Sequence, residues 1–328
     1  MWLAVLTMII GLAVLAWSAN LFIDGATLLA KILQMPSFLV GVIILGFGTS
    51  APEMVVSVLA AFEGSPELAL GNAYGSNIMN IALVLGITAL ISPMVIGKSI
   101  VIRDLPLLLI ITALAAWQLR DGQLSHMDGV LLLGALGAVL GVQVVLNRRE
   151  QQPQPNRSKN GTGDDADSAA STPSLTRGIT RLGIGMLLLV LSSRAIVWGA
   201  VELATFWGLS QLIIGLTIVA VGTSLPELVA SVSAARRGES DMALGNIIGS
   251  NMFNTLGVVG LAALVSPIAA NPVILSRDIM MVGILTLLLF ALCSVAFISK
   301  RRLGRLSGAI LVLCFVGYTL WLLQTLNS

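Results

Sequence analysis

The stretch VGVIILGFGTSAPEMVVSVLAA, residues 40–61, is apolar and long enough to cross a lipid bilayer, yet it contains a proline and a glutamate. Both lie in the hexapeptide GTSAPE at 48–53, which returns as GTSLPE at 222–227 inside a second apolar stretch. A proline perturbs a helix and a carboxylate is costly in lipid. Two copies of so costly a segment indicate that it has a function inside the membrane.

The rest of the chain has the composition of a helical membrane protein. Its 328 residues are 56% hydrophobic and only 10% charged, with a mean hydropathy of +0.96, whereas a soluble protein carries about 25% charged residues. The fold class is therefore an all-α polytopic protein in a lipid bilayer. The apolar segments predict ten transmembrane helices, at roughly 2–30, 37–61, 68–92, 104–119, 128–147, 180–206, 211–235, 241–265, 278–298 and 306–325.

One long polar segment divides these helices five and five. Residues 148–177 are rich in Pro, Gly, Ser, Asn, Gln and Asp, which predicts a flexible linker between a first half at 1–147 and a second half at 178–328. If the N-terminus lies outside, the positive-inside rule is satisfied, because fifteen of the eighteen Lys and Arg residues then face the cytoplasm with the linker. They are Lys31, Lys98, Arg103, Arg148, Arg149, Arg157, Lys159, Arg177, Arg181, Arg236, Arg237, Lys300, Arg301, Arg302 and Arg305. Both termini are therefore predicted to lie outside.

The two halves repeat each other. Residues 38–93 align without a gap with residues 212–267 at an offset of 174, and 27 of the 56 positions are identical. Because five is an odd number of spans, the second half enters the membrane with the opposite orientation. This predicts an inverted-topology repeat, as in many secondary transporters.

The hexapeptide brings several oxygen atoms to one place. Pro52 has no N–H, so it leaves the carbonyl of Gly48 without its helical partner. Thr49 and Ser50 lie four and three residues before Glu53, which puts their hydroxyls on the same helix face as the carboxylate. The second copy repeats this set as Thr223, Ser224, Pro226 and Glu227. A proline kink with locally capped carbonyls is the structural alternative.

The next span of each half adds a polar stripe. The stretches GNAYGSNIMN at 71–80 and GNIIGSNMFN at 245–254 place polar residues every four positions. The stripes consist of Asn72, Ser76 and Asn80 in the first half and Asn246, Ser250 and Asn254 in the second. The glycine pairs Gly71 with Gly75 and Gly245 with Gly249 predict close helix packing. We expect the inner Ser and Asn residues to be ligands, with hydrogen bonding between helices as the alternative role of the stripes.

These donors are all hard oxygen atoms, which suit Ca²⁺ or Na⁺ rather than Zn²⁺ or Cu⁺. Two glutamates balance one Ca²⁺, or they stabilise two or three Na⁺. The single histidine, His126, lies in a polar loop, and Cys293 and Cys314 lie in apolar spans. The sequence therefore predicts no enzyme, no cofactor and no nucleic-acid partner, and it indicates no protein partner.

In these motifs the chain resembles the cation/Ca²⁺ exchanger superfamily, most closely its prokaryotic Na⁺/Ca²⁺ antiporters and the related K⁺-dependent exchangers. The resemblance implies electrogenic exchange of several Na⁺ for one Ca²⁺, with the first and sixth helices sliding over a core of eight. It also implies a central site with main-chain carbonyls from Gly46 and Ala220. The side chains implied for that site are Thr49, Ser50, Glu53, Ser76, Asn80, Thr223, Ser224, Glu227, Ser250 and Asn254.

One position departs from the pattern of part of the superfamily. Several members carry Asp where this chain has Asn254, and in K⁺-dependent members that Asp is linked to K⁺. Asn254 therefore argues against K⁺ dependence. The sequence thus predicts a Na⁺/Ca²⁺ antiporter of the inner membrane. A Ca²⁺/H⁺ antiporter of the same fold is the first alternative, because buried glutamates can carry protons, and a passive cation channel is the second.

Three further charges lie in or near the predicted spans. Arg194 and Glu202 share roughly one face of the sixth span, and Asp24 lies near the cytoplasmic end of the first. Arg194 and Glu202 either gate the sliding helices or simply pair and snorkel at the bundle surface. The sequence leaves these two interpretations open.

Overall fold

The computed structural model describes residues 1–64, 66–150, 174–207 and 220–327, which are almost entirely helical. Nine of the described helices are long and apolar enough to cross a membrane. The seventh of the ten predicted spans, 211–235, is not among these nine, because its residues 211–219 lie outside the described part of the chain. The helices are α1 (Trp2–Leu33), α2 (Ser37–Phe62), α3 (Glu67–Ile91), α4 (Ile100–Asp121), α5 (His126–Glu150), α6 (Leu175–Phe206), α7 (Ala220–Thr223 and Leu225–Arg236), α8 (Ser240–Val265), α9 (Ile274–Ile298) and α10 (Arg305–Asn327).

The predicted linker, 148–177, lies mostly outside the described residues, which stop at 150 and resume at 174. Helices cover its first and last three residues, since α5 runs to Glu150 and α6 begins at Leu175. We call the end of the bundle where α5 ends and α6 begins the linker side, and the opposite end the far side.

The repeat is visible in irregularities of the backbone. A π-helical turn at Met79–Val84 in α3 recurs at Phe253–Val258 in α8, at the offset of 174. A second pair begins at Ile100 in α4 and at Ile274 in α9, again 174 apart. A π-helical turn holds an extra residue and is frequently found at functional sites. The same irregularities at the same offset indicate that the two halves share one backbone design.

Short backbone pairings join the two halves at their loops. Strand β1 (Gln123–Leu124) pairs antiparallel with β2 (Ile268–Ala269). Met94, the counterpart of Ile268, exchanges backbone hydrogen bonds of 3.1 and 2.7 Å with Leu303. Each pairing joins the loop after the third helix of one half to the loop between the last two helices of the other. Since the helices alternate in direction, one pairing lies on each side of the bundle.

Helices α1 and α6 pack against each other through glycines at equivalent positions of the two repeats. A Cβ at Gly185 would lie 2.5 Å from the backbone nitrogen of Phe22, so a larger residue would force the helices apart. Four of the glycines at this contact are spaced by 14 within each helix, namely Gly11, Gly25, Gly185 and Gly199. Such close backbones indicate that α1 and α6 form one unit.

Candidate ion-binding site

The two hexapeptides lie in α2 and α7, and their backbones differ. In α2 the helix continues through Pro52, and a π-helical turn at Gly41–Gly46 directly precedes this α-helical segment. In α7 the helix is interrupted at Ser224, and Pro226 lies in the first turn of the next helical piece. The sequence predicted the same perturbation in both copies. A proline is tolerated in a first turn because the N–H there has no helical acceptor, so the break at Ser224 accommodates Pro226, whereas Pro52 lies inside its helix.

Glycines bring α2 into contact with α8. A Cβ at Gly249 would lie 2.7 Å from the Cα of Val42, which confirms the close packing predicted for this glycine pair. As a result Thr49 Oγ1 lies 3.3 Å from Ser250 Oγ. Within the described residues, nothing approaches a Cβ at Gly71 or Gly75 within 4 Å. The segment equivalent to 38–42, residues 212–216, lies outside the described part.

The two glutamates lie inside the bundle. Glu53 is 3% exposed and Glu227 is 1% exposed. Among the described residues, none of their four carboxylate oxygens has a hydrogen bond of normal geometry, although the Thr49 side chain lies near the Glu227 carboxylate. The carboxylate of Glu227 lies within electrostatic reach of that of Glu53. Two buried, mutually repelling carboxylates without normal hydrogen bonds are costly, which suits a site whose ligand is a cation.

Several amide and hydroxyl groups of the other predicted ligands are also buried without hydrogen-bond partners among the described residues. In the described part of the chain, both polar side-chain atoms of Asn80 and of Asn254 lack a partner, as do the hydroxyls of Ser50 and Ser224. Most buried polar atoms in proteins are hydrogen-bonded. Oxygen atoms held away from water and from other donors are available to a hard cation, so the donor set fits Ca²⁺ or Na⁺.

The outer asparagine of each stripe holds the helices together instead. Asn72 Nδ2 donates to Ser57 Oγ at 3.0 Å and to the main-chain carbonyl of Glu53 at 3.4 Å. Asn246 Nδ2 donates in the same way to Ser231 Oγ at 2.9 Å and to the carbonyl of Glu227 at 3.4 Å. These bonds fix the backbone that carries each glutamate. The sequence analysis missed the serines, although a serine follows each glutamate by four residues.

Not every predicted ligand reaches the buried cluster. Thr49 is 1% exposed, but its counterpart Thr223 is exposed and lines two cavities, of about 400 and about 490 Å³. Ser76 is buried and lines the smaller of the two. Gly46 is buried against α8, where a Cβ would lie 3.0 Å from Ser250 N. Ala220 begins the described part of α7.

A second pair of asparagines, which the sequence analysis did not single out, lies next to the predicted ligands. Asn77 Nδ2 donates to Thr255 Oγ1 at 2.8 Å and so joins α3 to α8. Its counterpart Asn251 bonds instead to the carbonyl of Ile247, at 2.7 Å on its own helix. The difference arises because the first half has Ile81 where the second has Thr255. Their position directly after Ser76 and Ser250 in both repeats was the available signal.

The remaining charges distinguish the two sides of the bundle. On the linker side, Asp24 of α1 forms an ion pair with Arg237, which follows α7, and joins the α1–α6 unit to the rest. Toward the far side, the cavity of about 490 Å³ separates α6 from α2 and α7 and reaches Glu53. Arg194 lines this cavity, and no ion pair joins it to Glu202 among the described residues.

These features define a class of protein. A helical bundle of two repeated halves, with two buried carboxylates and further oxygen donors at its centre, has the architecture of a secondary cation transporter. The chain belongs to the sodium/calcium exchanger protein family, whose match covers residues 3–145 and 178–324. It is thus a prokaryotic-type member of the cation/Ca²⁺ exchanger superfamily, and its family carries out cation/Ca²⁺ antiport.

Individual relatives match along nearly the whole chain. The "Putative antiporter CaxA" of Alkalimonas amylolytica is 40% identical over 97% of this chain and 98% of its own length. The "Inner membrane protein YrbG" of Escherichia coli is 34% identical, over 98% of this chain and 96% of its own. A solved structure of the sodium-calcium exchanger NCX_Mj superimposes with a TM-score of 0.79 at 30% identity, covering 96% of this chain and 97% of that one.

Proposed function

We propose that this protein exchanges Na⁺ for Ca²⁺ across the inner membrane by alternating access. The observation that carries the proposal is the pair of buried glutamates, Glu53 and Glu227, whose carboxylates have no hydrogen bonds of normal geometry among the described residues. Two negative charges match one Ca²⁺, and the same oxygens accommodate two or three Na⁺ at adjacent positions. The exchange follows because either set of ions stabilises the site, whereas the empty site leaves two like charges facing each other.

We take the predicted ligands as the residues that hold the ions. Glu53 and Glu227 provide charge, while Ser50, Asn80 and Asn254 offer neutral oxygens. Thr49 and Ser250, 3.3 Å apart, lie where α2 and α8 cross. Carbonyls of Gly46 and Ala220, with the hydroxyls of Ser76, Thr223 and Ser224, complete the proposed set.

The two sides of the bundle support the alternating access. The far-side cavity gives ions a path to Glu53, while the Asp24–Arg237 ion pair holds α1 against the linker side. We assign the linker side to the cytoplasm and both termini to the outside. The α1–α6 unit, packed through glycines, slides as one body, so that the cavity closes on one side and opens on the other.

The test is flux in proteoliposomes, with Na⁺, K⁺ and pH gradients imposed one at a time. We expect Ca²⁺ uptake against its gradient only when Na⁺ is loaded inside, with no requirement for K⁺. Uptake driven by pH and indifferent to Na⁺ would replace this function by Ca²⁺/H⁺ antiport. Ca²⁺ flux without any counter-ion would indicate a channel.

A hydrogen bond between the moving and fixed helices leads to a further prediction. Ser193 Oγ of α6 donates at 2.7 Å to the carbonyl of Gly222, which Pro226 leaves without a helical partner. The equivalent residue in α1 is Ala19, so no such bond forms in the mirrored state. Ser193→Ala should destabilise the far-side-open state by about 1 kcal/mol, or about fivefold in population.

The measurement is the rate at which an impermeant thiol reagent modifies Val56→Cys, a position lining the cavity, after both native cysteines are replaced. Ser193→Ala should lower this rate by up to about fivefold, and Ala19→Ser should lower it as well by stabilising the mirrored state. Ser192→Ala is the control, because Ser192 bonds at 2.6 Å to Leu188 on its own helix. Equal effects in Ser192→Ala and Ser193→Ala would contradict the prediction.

A further inference from the structure

Arg194 places a permanent positive charge in the path that leads to an acidic site. It lies on the face of α6 that lines the cavity of about 490 Å³, together with Val190, Val197 and Val201. On the opposite wall lie Glu53 and Val56 of α2. Arg194 and Glu53 are the only charged residues among the described ones that line this cavity. Because this positive charge repels the cations that would pass through the cavity, its presence there needs a functional explanation.

The depth of Arg194 along α6 indicates that water enters the cavity. It lies twelve residues before Phe206, the last residue of α6, which at 1.5 Å per residue is about 18 Å along the helix. An arginine at that depth is expensive in lipid and normally faces water or a partner. Its side chain is exposed, and in the described part of the chain it has no ion pair with Glu53, Glu227 or Glu202. Water in the cavity is therefore what solvates it.

A fixed charge in such a cavity acts on ions according to their valence. The free energy of a Ca²⁺ near Arg194 rises by twice as much as that of a Na⁺ at the same point, because the Coulomb energy is proportional to charge. The local concentration therefore falls by some factor for Na⁺ and by the square of that factor for Ca²⁺. At about 7 Å in water the factor is about threefold for Na⁺ and about sevenfold for Ca²⁺.

Resting on the Na⁺/Ca²⁺ exchange proposed above, we propose that Arg194 lowers the apparent affinity for Ca²⁺ on the far side, more than that for a single Na⁺, and so promotes the release of Ca²⁺ there. It holds no ion itself. Since the effect works through the cavity, it concerns only ions that enter from the far side. A protein that releases Ca²⁺ on this side gains from it, because the outgoing ion rebinds less.

A charge series at this position tests the inference. Arg194→Gln removes one unit of charge and Arg194→Glu reverses it, while Arg194→Lys keeps it. In oriented proteoliposomes, the half-saturating far-side concentration should fall in Arg194→Gln about threefold for Na⁺ and about sevenfold for Ca²⁺. Arg194→Glu should lower each half-saturating concentration by the same factor again, and Arg194→Lys should match the wild type. Added choline chloride should shrink all these shifts, since salt screens the charge.

Arg120→Gln is the matched control. Arg120 also lies toward the far side, at the end of α4, but it stacks over Trp117 at 4.7 Å, away from the cavity. It should leave both half-saturating concentrations unchanged. Equal factors for Na⁺ and Ca²⁺, no shift in Arg194→Gln, or the same shift in Arg194→Lys would overturn the inference. A wild type without Na⁺-dependent Ca²⁺ flux would instead overturn the proposed function.

Discussion

Glu53→Gln and Glu227→Gln will each abolish Na⁺-dependent Ca²⁺ flux, with a loss of at least about 100-fold, or about 2.7 kcal/mol. Glutamine has nearly the same shape, so the change removes charge without opening a cavity. One remaining carboxylate cannot balance a Ca²⁺, and the buried Ca²⁺ then keeps an uncompensated charge. The measurement is initial ⁴⁵Ca²⁺ uptake into Na⁺-loaded proteoliposomes, normalised to the amount of inserted protein.

Thermal stability distinguishes loss of the site from loss of the fold. Without Na⁺ and Ca²⁺, each variant should be at least as stable as the wild type, because the repulsion between the two carboxylates is gone. Added Ca²⁺ should stabilise the wild type, by about 2.7 kcal/mol at 100 times its Kd, but neither variant. Glu63→Gln, at the exposed end of α2, is the control and should behave as the wild type. Normal flux in either site variant would exclude the paired carboxylates as the ion site.

Much of the site could be predicted because the two halves of the chain repeat each other and can be aligned. The offset of 174 between the two GTS-x-PE segments predicted the repeat, and the pair Gly245 and Gly249 predicted close helix packing. The contact of Gly249 with Val42 confirms that packing, although the sequence did not show that the partner would be α2. The pairing of Asn72 with Ser57 and of Asn246 with Ser231 follows the same symmetry, so spacing alone contained the information.

The deviations from symmetry were not predictable. Thr49 is buried while Thr223 is exposed, although both stand in the same hexapeptide. Thr223 borders a cavity, whereas Thr49 packs against Ser250 where α2 crosses α8. Periodicity also put Arg194 and Glu202 on one face of α6 but could not show that Arg194 faces a cavity. That depends on how α6 packs against helices distant in sequence.

The last prediction concerns Asn254, a neutral residue that is equivalent to Asn80 in the first half. Asn254 is fully buried, and neither polar atom of its side chain has a partner among the described residues. Asn254→Asp keeps the shape and adds a third carboxylate beside Glu53 and Glu227. With Ca²⁺ bound, the extra charge is attracted; without it, three like charges repel one another.

We therefore expect Asn254→Asp to lower the half-saturating Ca²⁺ concentration at least about tenfold, or about 1.4 kcal/mol, and to make turnover depend on one additional monovalent cation such as K⁺ or Na⁺. The ion-free protein should also unfold at a lower temperature. Flux with K⁺ and Na⁺ varied independently measures the first two effects, and Asn251→Asp, one helical turn away on α8, is the comparison for a buried carboxylate at a residue that is not a proposed ligand. Since the repeat makes Asn80 the counterpart of Asn254, Asn80→Asp should raise the Ca²⁺ affinity as well. An unchanged ion profile in both variants would show that the amide pair does not touch the transported ions, and the site would then be confined to the glutamates and the hydroxyls around them.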